Sequence, residues 1–177
     1  MHRRTRGYTL YELLVTTGLI AILLATGIPS FAAIAARQRQ LAEINALFHA
    51  IHVARKESIM RRKVVSLCPS HDGLSCANST DWSSGWLMFE DSDRDSPPHV
   101  DAGEPVLQHH AVASDVIIQA NRRSFTLRAT FLRATNVTFI VCDRGGRIRA
   151  KGLVISYTGR PRVALSKTSG QPYSCAH

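Results

Sequence analysis

The chain has 177 residues, of which 22 are Lys or Arg and 13 are Asp or Glu, for a net charge of +9. That length accommodates one domain with an appendage and excludes a large multidomain enzyme. Hydrophobic residues make up 45%, which excludes a disordered chain, and four cysteines are too few for a disulfide-dense mini-scaffold. The charge is unevenly laid out. Residues 37–63 hold seven basic and two acidic residues, and residues 64–119 hold one basic residue, Arg94, against nine acidic ones. Residues 120–167 hold eleven basic residues and one acid, Asp143. A late basic block of this kind points to an anionic partner, nucleic acid or a lipid surface, unless it is simply a solvated face.

The N-terminus is short, polar and basic, with Arg3, Arg4 and Arg6 before Gly7. From Tyr8 to Ala36 there is no Lys or Arg and a single acid, Glu12. Such a run exceeds the ~20 apolar residues that cross a bilayer and the ~7–15 of a secretory signal core. The basic cluster ahead of it predicts a cytoplasmic N-terminus. A carboxylate within such a segment is costly and calls for a partner or a function, or for a place at the interface.

The helix is expected to continue past the membrane. Leu41, Ile44, Leu47, Phe48, Ile51 and Ile59 recur at three- and four-residue steps, with charged residues mostly on other faces. The helix is placed at 9–62, bent near Pro29. Beyond it, β-branched or aromatic runs alternate with turn residues. The expected strands are Val64–Leu67, Gly85–Glu90, Val106–His109, Val116–Gln119, Ser124–Leu132, Val137–Val141, Gly152–Ser156 and Arg162–Leu165. A long acidic loop with three prolines separates Asp91 from Pro105.

Cys68 and Cys76 flank a Pro/Ser/Asp/Gly-rich loop; Cys142 ends a strand and Cys175 lies near the C-terminus. Outside the cytoplasm an even count favours disulfides. Of the three possible pairings, Cys68–Cys76 as a loop clamp and Cys142–Cys175 as a tail anchor are preferred. Zinc on Cys68, His71 and Cys76 competes, but the spacing matches no standard pattern. Asp91, Asp93 and Asp95 open like a calcium loop, yet Ser96 stands where Gly is needed and Ala102 where the closing Glu belongs. His109 and His110 are adjacent on a strand and point to opposite faces. No GxGxxG, Walker A, HExxH or GxSxG motif occurs, so neither catalysis nor a cofactor nor a metal is expected.

Gly159-Arg160-Pro161-Arg162 is a sharper signal. In an extended chain Arg160 and Arg162 point the same way and present two guanidinium forks suited to phosphate oxygens. Pro161 stiffens the segment, and Gly159 permits a tight turn before it. Taken alone, four residues fit a solvent-facing strand start equally well. Trp82, Trp86 and Phe89 read as core packing more than as a base-stacking platform.

Two stretches carry a family resemblance. Gly7-Tyr8-Thr9-Leu10-Tyr11-Glu12 resembles the class III signal of type IV pilins and type II secretion pseudopilins, with Tyr8 where Phe is usual and Tyr11 where an aliphatic residue is usual. The resemblance implies cleavage after Gly7 by a prepilin peptidase, N-methylation of Tyr8, and pairing of Glu12 with a neighbouring subunit's terminal amine. The head resembles the GspH/FimT group of minor pilins, nearest its FimT branch. Cys68-Pro69-Ser70, Asp72-Gly73, Cys76, Trp82, Gly85-Trp86 and Phe89 carry the central pattern. Cys142-Asp143-Arg144, Thr158-Gly159-Arg160-Pro161-Arg162-Val163 and Cys175 carry the later one.

That resemblance implies an α+β fold, a long N-terminal helix packed on antiparallel sheets in a sandwich-like head. The expected organisation is a leader over 1–7, a transmembrane helix over 8–36, its amphipathic continuation over 37–63 and a β-rich head over 64–177. The expected function is a minor pilin that binds extracellular double-stranded DNA through Gly159, Arg160 and Arg162 for uptake in natural transformation. Outer contacts are expected from Arg144, Arg147, Arg149, Lys151 and Lys167, then from Arg122, Arg123, Arg128 and Arg133. Partners would be DNA, other major and minor pilins, the peptidase and the inner membrane, with the head periplasmic and later on a cell-surface pilus. The alternatives are a structural minor pilin or secretion pseudopilin that binds no DNA, and a basic face lying on anionic lipid.

Overall fold

Thr9 starts the long helix α1, Leu10–Arg61. Its hydroxyl accepts the Glu12 N–H at 3.2 Å, and the Glu12 carboxylate accepts the Thr9 N–H at 2.9 Å. This reciprocal capping box satisfies two of the donors that a helix start leaves bare. The computed structural model describes residues 7–129 and 134–175; the expected leader residues 1–6 and Arg133 lie outside them.

Two compact units follow from the contacts, 1–35 and 36–177. In the first, helical residues from Leu10 onward expose Leu, Ile and Phe side chains, and by length and composition this stretch can cross a membrane. Thr16, Thr17 and Thr26 return their hydroxyls to carbonyls one turn back, which hides polar groups within the apolar run. The helix runs through Pro29 without a break.

In the second unit α1 buries Ala36, Gln40, Glu43, Ile44, Leu47, Ala50, Ile51, Ala54 and Ser58, a stripe at three- and four-residue steps. Arg62, at φ 55°, takes the left-handed conformation that ends the helix and turns the chain into the first strand.

Among the described residues, eight strands form two antiparallel four-stranded sheets. One has the order β3-β2-β1-β5, built from β1 (Val64–Pro69), β2 (Trp86–Asp91), β3 (Val106–His110) and β5 (Phe125–Leu127). The other has the order β4-β6-β7-β8, from β4 (Val116–Ala120), β6 (Val137–Asp143), β7 (Lys151–Ile155) and β8 (Pro161–Ala164). Side chains from α1 and both sheets share one core around Leu47, Ile51, Leu67, Trp86, Phe139 and Leu153. Trp82 is fully buried and meets Phe139 edge-on at 4.8 Å between ring centres. Trp86 and Phe89 are also fully buried, so these three rings are core and offer no stacking platform.

The expected strands reappear with shifted ends. The strand expected over 124–132 is observed as β5 at Phe125–Leu127, paired with Val65, Ser66 and Leu67, while residues 130–132 lie outside the described residues. Cys68 is bonded to Cys76, and Cys142 to Cys175. The thiols of the conceivable zinc set are therefore consumed in a disulfide.

Candidate nucleic-acid interface

β8 is an edge strand: it pairs with β7 on one side, Val154 opposite Arg162 and Ile155 opposite Pro161, and its other edge is open. The turn that delivers it is set by Gly159, which lies at φ 68° with its N–H donated to the Ser156 carbonyl at 2.8 Å. From below, Arg55 of α1 donates to the Thr158 carbonyl. A Cβ on Gly159 would run into that guanidinium and the Leu127 side chain. Gly159 is buried and shapes the turn that presents Arg160 and Arg162.

Arg160 and Arg162 are both exposed, two residues apart and about 6.6 Å along an extended chain. Among the described residues neither has a carboxylate partner. The chain after β8 folds back in a short hairpin, with the Lys167 N–H donated to the Gln171 carbonyl at 2.8 Å and Ser166 bridged to Pro172. The Cys142–Cys175 bond ties its end to β6. Tyr173 then lies over Gly152, where any side chain would collide with the ring. The result is a groove of about 370 Å³ lined by Arg162, Lys167, Tyr173, Thr138, Ile140 and Val154, among others. Arg162 and Lys167, five positions apart in sequence, thus share one surface.

The other basic candidates are distributed differently. Arg147 is spent: its Nε and Nη2 make a forked pair with the buried Asp143 at 2.9 and 2.6 Å. That guanidinium holds the Asp143 carboxyl below its usual range, and the carboxylate raises Arg147 in turn. Arg147 therefore serves the β6–β7 connection and is already paired within the fold. Arg144 is exposed and donates Nε to the Ser114 carbonyl at 2.9 Å. Arg149 is exposed, and its carbonyl receives Gln40 Nε2 at 2.9 Å. Lys151 shares the strand parity of the buried Leu153 and Ile155, opposite to that of Arg162, so the two do not present to one face. Arg122, Arg123 and Arg128 gather at a separate recess around the β4–β5 connection.

Sequence reasoning missed two contributors. Arg55 stood among the solvent-facing charges of the helix, and only its reach to Thr158 across 103 positions reveals its support of the turn. Tyr173 carried no signal beyond its nearness to Cys175.

The comparisons with known proteins follow this geometry. Residues 43–159 match the family model described as Type II transport protein GspH. Among solved structures, the type IV minor pilin FimU of Pseudomonas aeruginosa aligns with a TM-score of 0.55 and 22% identity, over 79% of this chain and 97% of that one. The minor pseudopilin EpsH of the Vibrio cholerae type 2 secretion system aligns with a TM-score of 0.53 and 8% identity, over 71% and 96%. At these identities the likeness is one of fold. No curated protein matches in sequence. Because the family model spans well over half of the chain, and the long helix on two four-stranded sheets is shared with a minor pilin and a minor pseudopilin, this chain belongs to the GspH family of minor pilins and pseudopilins.

Proposed function

We propose that the chain is a minor type IV pilin that binds extracellular double-stranded DNA through β8 for uptake in natural transformation. The observation that supports this most is the Arg160–Arg162 pair: exposed, without a carboxylate partner among the described residues, stiffened by Pro161, and with Arg162 sharing a groove with Lys167. Guanidinium forks recognise phosphate oxygens, so binding is largely indifferent to base sequence and strongly salt-dependent. In this reading the leader is cut after Gly7, Tyr8 becomes the methylated terminus, and Glu12 neutralises a neighbouring terminal amine when subunits stack. The apolar stretch anchors the chain in the inner membrane with the head in the periplasm before incorporation into a pilus that carries DNA to the cell.

The test is duplex binding by the head, residues 36–177, with random-sequence DNA at two salt concentrations. Arg160→Ala with Arg162→Ala removes two phosphate contacts and flattens the slope of log affinity against log salt by about 1.8. A folded double variant with an unchanged slope would place the binding face elsewhere. No binding by the unaltered head at low salt would favour a second reading, an assembly-type minor pilin or pseudopilin. The fold likeness to EpsH supports that reading, which assigns the Arg pair to contacts with neighbouring subunits.

A further inference from the structure

A second basic surface lies outside the β8 groove. Between the start of the acidic loop and the β4–β5 connection is a recess of about 550 Å³, and Arg94, Arg122, Arg123 and Arg128 line it. Arg122 donates to Asn136 Oδ1 at 3.2 Å and Arg123 to Asn78 Oδ1 at 3.0 Å. These neutral acceptors orient the guanidiniums without cancelling their charge. None of the four has a carboxylate partner among the described residues. Arg94 sits at φ 63°, an uncommon conformation for a residue with a side chain, at the lip of the recess.

Two carboxylates also line the recess, and both are occupied. Asp91 is buried and accepts Ser66 Oγ and the Arg94 N–H, each at 2.7 Å. Burial also pushes its carboxyl upward, toward the neutral form. Asp95 is paired with His99 Nδ1 at 2.6 Å. The recess therefore offers an excess of planar forked donors, the arrangement that suits phosphate oxygens. Asn121 lines both this recess and the groove beside Arg162 and Lys167, so the two surfaces adjoin.

We infer that the Arg94–Arg122–Arg123–Arg128 recess is a second phosphate site that takes phosphodiester groups of the same nucleic acid, extending the footprint from β8 across Asn121. The extended footprint rests on the DNA-binding reading of β8; the phosphate chemistry of the recess stands on its own residues.

The experiment uses the full chain in neutral detergent, titrated separately with random-sequence duplex over a salt series and with inorganic pyrophosphate. Arg122→Ala with Arg128→Ala is expected to flatten the salt slope by about 1.8 while Arg160 and Arg162 remain. Pyrophosphate binding is expected to survive Arg160→Ala/Arg162→Ala and to be lost in Arg122→Ala/Arg128→Ala. Should that double variant unfold, Arg128→Ala alone, whose guanidinium holds no hydrogen bond among the described residues, is expected to flatten the slope by about 0.9. If duplex binding depends on Arg160 and Arg162 but is indifferent to the recess variants, the inference is overturned and the β8 reading stands. If the unaltered chain binds no duplex, the DNA reading and the extended footprint both fall. Pyrophosphate held through Arg122 and Arg128 would then still support the phosphate site, and its absence would overturn that too.

Discussion

Gly159→Ala tests whether the β7–β8 turn is held from beneath. At φ 68° an L side chain costs about 1–2 kcal/mol. The new Cβ also meets the Arg55 guanidinium and Leu127, and Arg55 must then release the Thr158 carbonyl. Losing a hydrogen bond from a charged donor costs roughly a further 1.5–3 kcal/mol, so the total is about 2–4 kcal/mol after partial relaxation. For a head of this size that lowers Tm by roughly 5–15 °C. The informative experiment is a double-mutant cycle with Arg55→Ala, followed by thermal denaturation of residues 36–177. With Arg55 gone the methyl group still meets the Leu127 side chain but no longer displaces a guanidinium, so Gly159→Ala should cost chiefly the backbone term, about 1–2 kcal/mol. The two substitutions are therefore expected to be non-additive by about 1 kcal/mol or more. Strict additivity would refute the claim that Arg55 constrains the turn, and an unshifted Tm for Gly159→Ala would refute the strain argument as well. The same variant removes no charge, yet it should weaken duplex binding if β8 must be presented in this geometry.

Three further expectations are open to direct measurement. Asp143 has a folded pKa below its unfolded value, so its pairing with Arg147 stabilises fully above the ordinary carboxylate range and is lost as pH falls through the folded pKa. The Tm advantage of the unaltered head over Asp143→Asn should accordingly be largest near neutral pH and shrink in acid; an advantage that grows on acidification would contradict the pairing. Replacing Cys142 and Cys175 by Ser opens a loop of 33 positions, which costs about 3–4 kcal/mol by chain entropy and frees the tail that carries Lys167. Duplex affinity should fall with stability, and an unchanged affinity in the folded variant would remove Lys167 from the site. Glu12→Gln keeps the acceptor that caps the helix but removes the charge. Helix content in detergent by circular dichroism should hold while incorporation into sheared pili is lost; normal incorporation would confine Glu12 to capping.

The elements were readable because their signals are local. The run with Glu12 as its single charge, followed by an apolar stripe, places the helix at 9–62, and it is observed at Leu10–Arg61. β-branched runs between turn residues locate the strands to within a few positions over the described residues, β5 being seen at Phe125–Leu127 opposite three residues of β1. What was hidden depends on contacts between distant segments. Arg55 lies on a helix, and nothing near it in sequence marks its reach to Thr158. Arg147 counted as one more cation of a basic block, because the burial of Asp143, which claims it, is a property of the folded β6–β7 connection. The Thr9-x-x-Glu12 capping box was legible in principle, but Glu12 had already been given an intermolecular role. Arg94, the one cation of an acidic stretch, joins Arg122 and Arg128 only when the loop folds against the β4–β5 connection.

The disposition of acids separates structural cations from available ones. Arg39 pairs with Asp115, Arg61 and Lys63 with Glu90, and Arg147 with Asp143 and Asp115. Each of these pairs ties α1 or a connection to a strand or its neighbour. The acids that remain lie chiefly in the loop after β2, where Asp93, Asp95 and Asp101 crowd one another and the mutual repulsion, after burial, helps raise Asp101. They do not reach β8. A fold that needed its late basic block only for internal pairing would have drawn acids to Arg160 and Arg162; a solvated surface would have no reason to adjoin a tail-built groove carrying Lys167. Six cations without a carboxylate partner among the described residues line two adjoining recesses that share Asn121, and the acidic loop flanks the second. On the proposed DNA-binding function, that loop would repel a polyanion from its own side and direct it along the track from β8 to Arg128. Deleting carboxylates at Asp93 and Asp101 should therefore raise duplex affinity at low salt with little effect on the number of phosphates contacted. A change in the salt slope as large as that of the Arg variants would contradict this account.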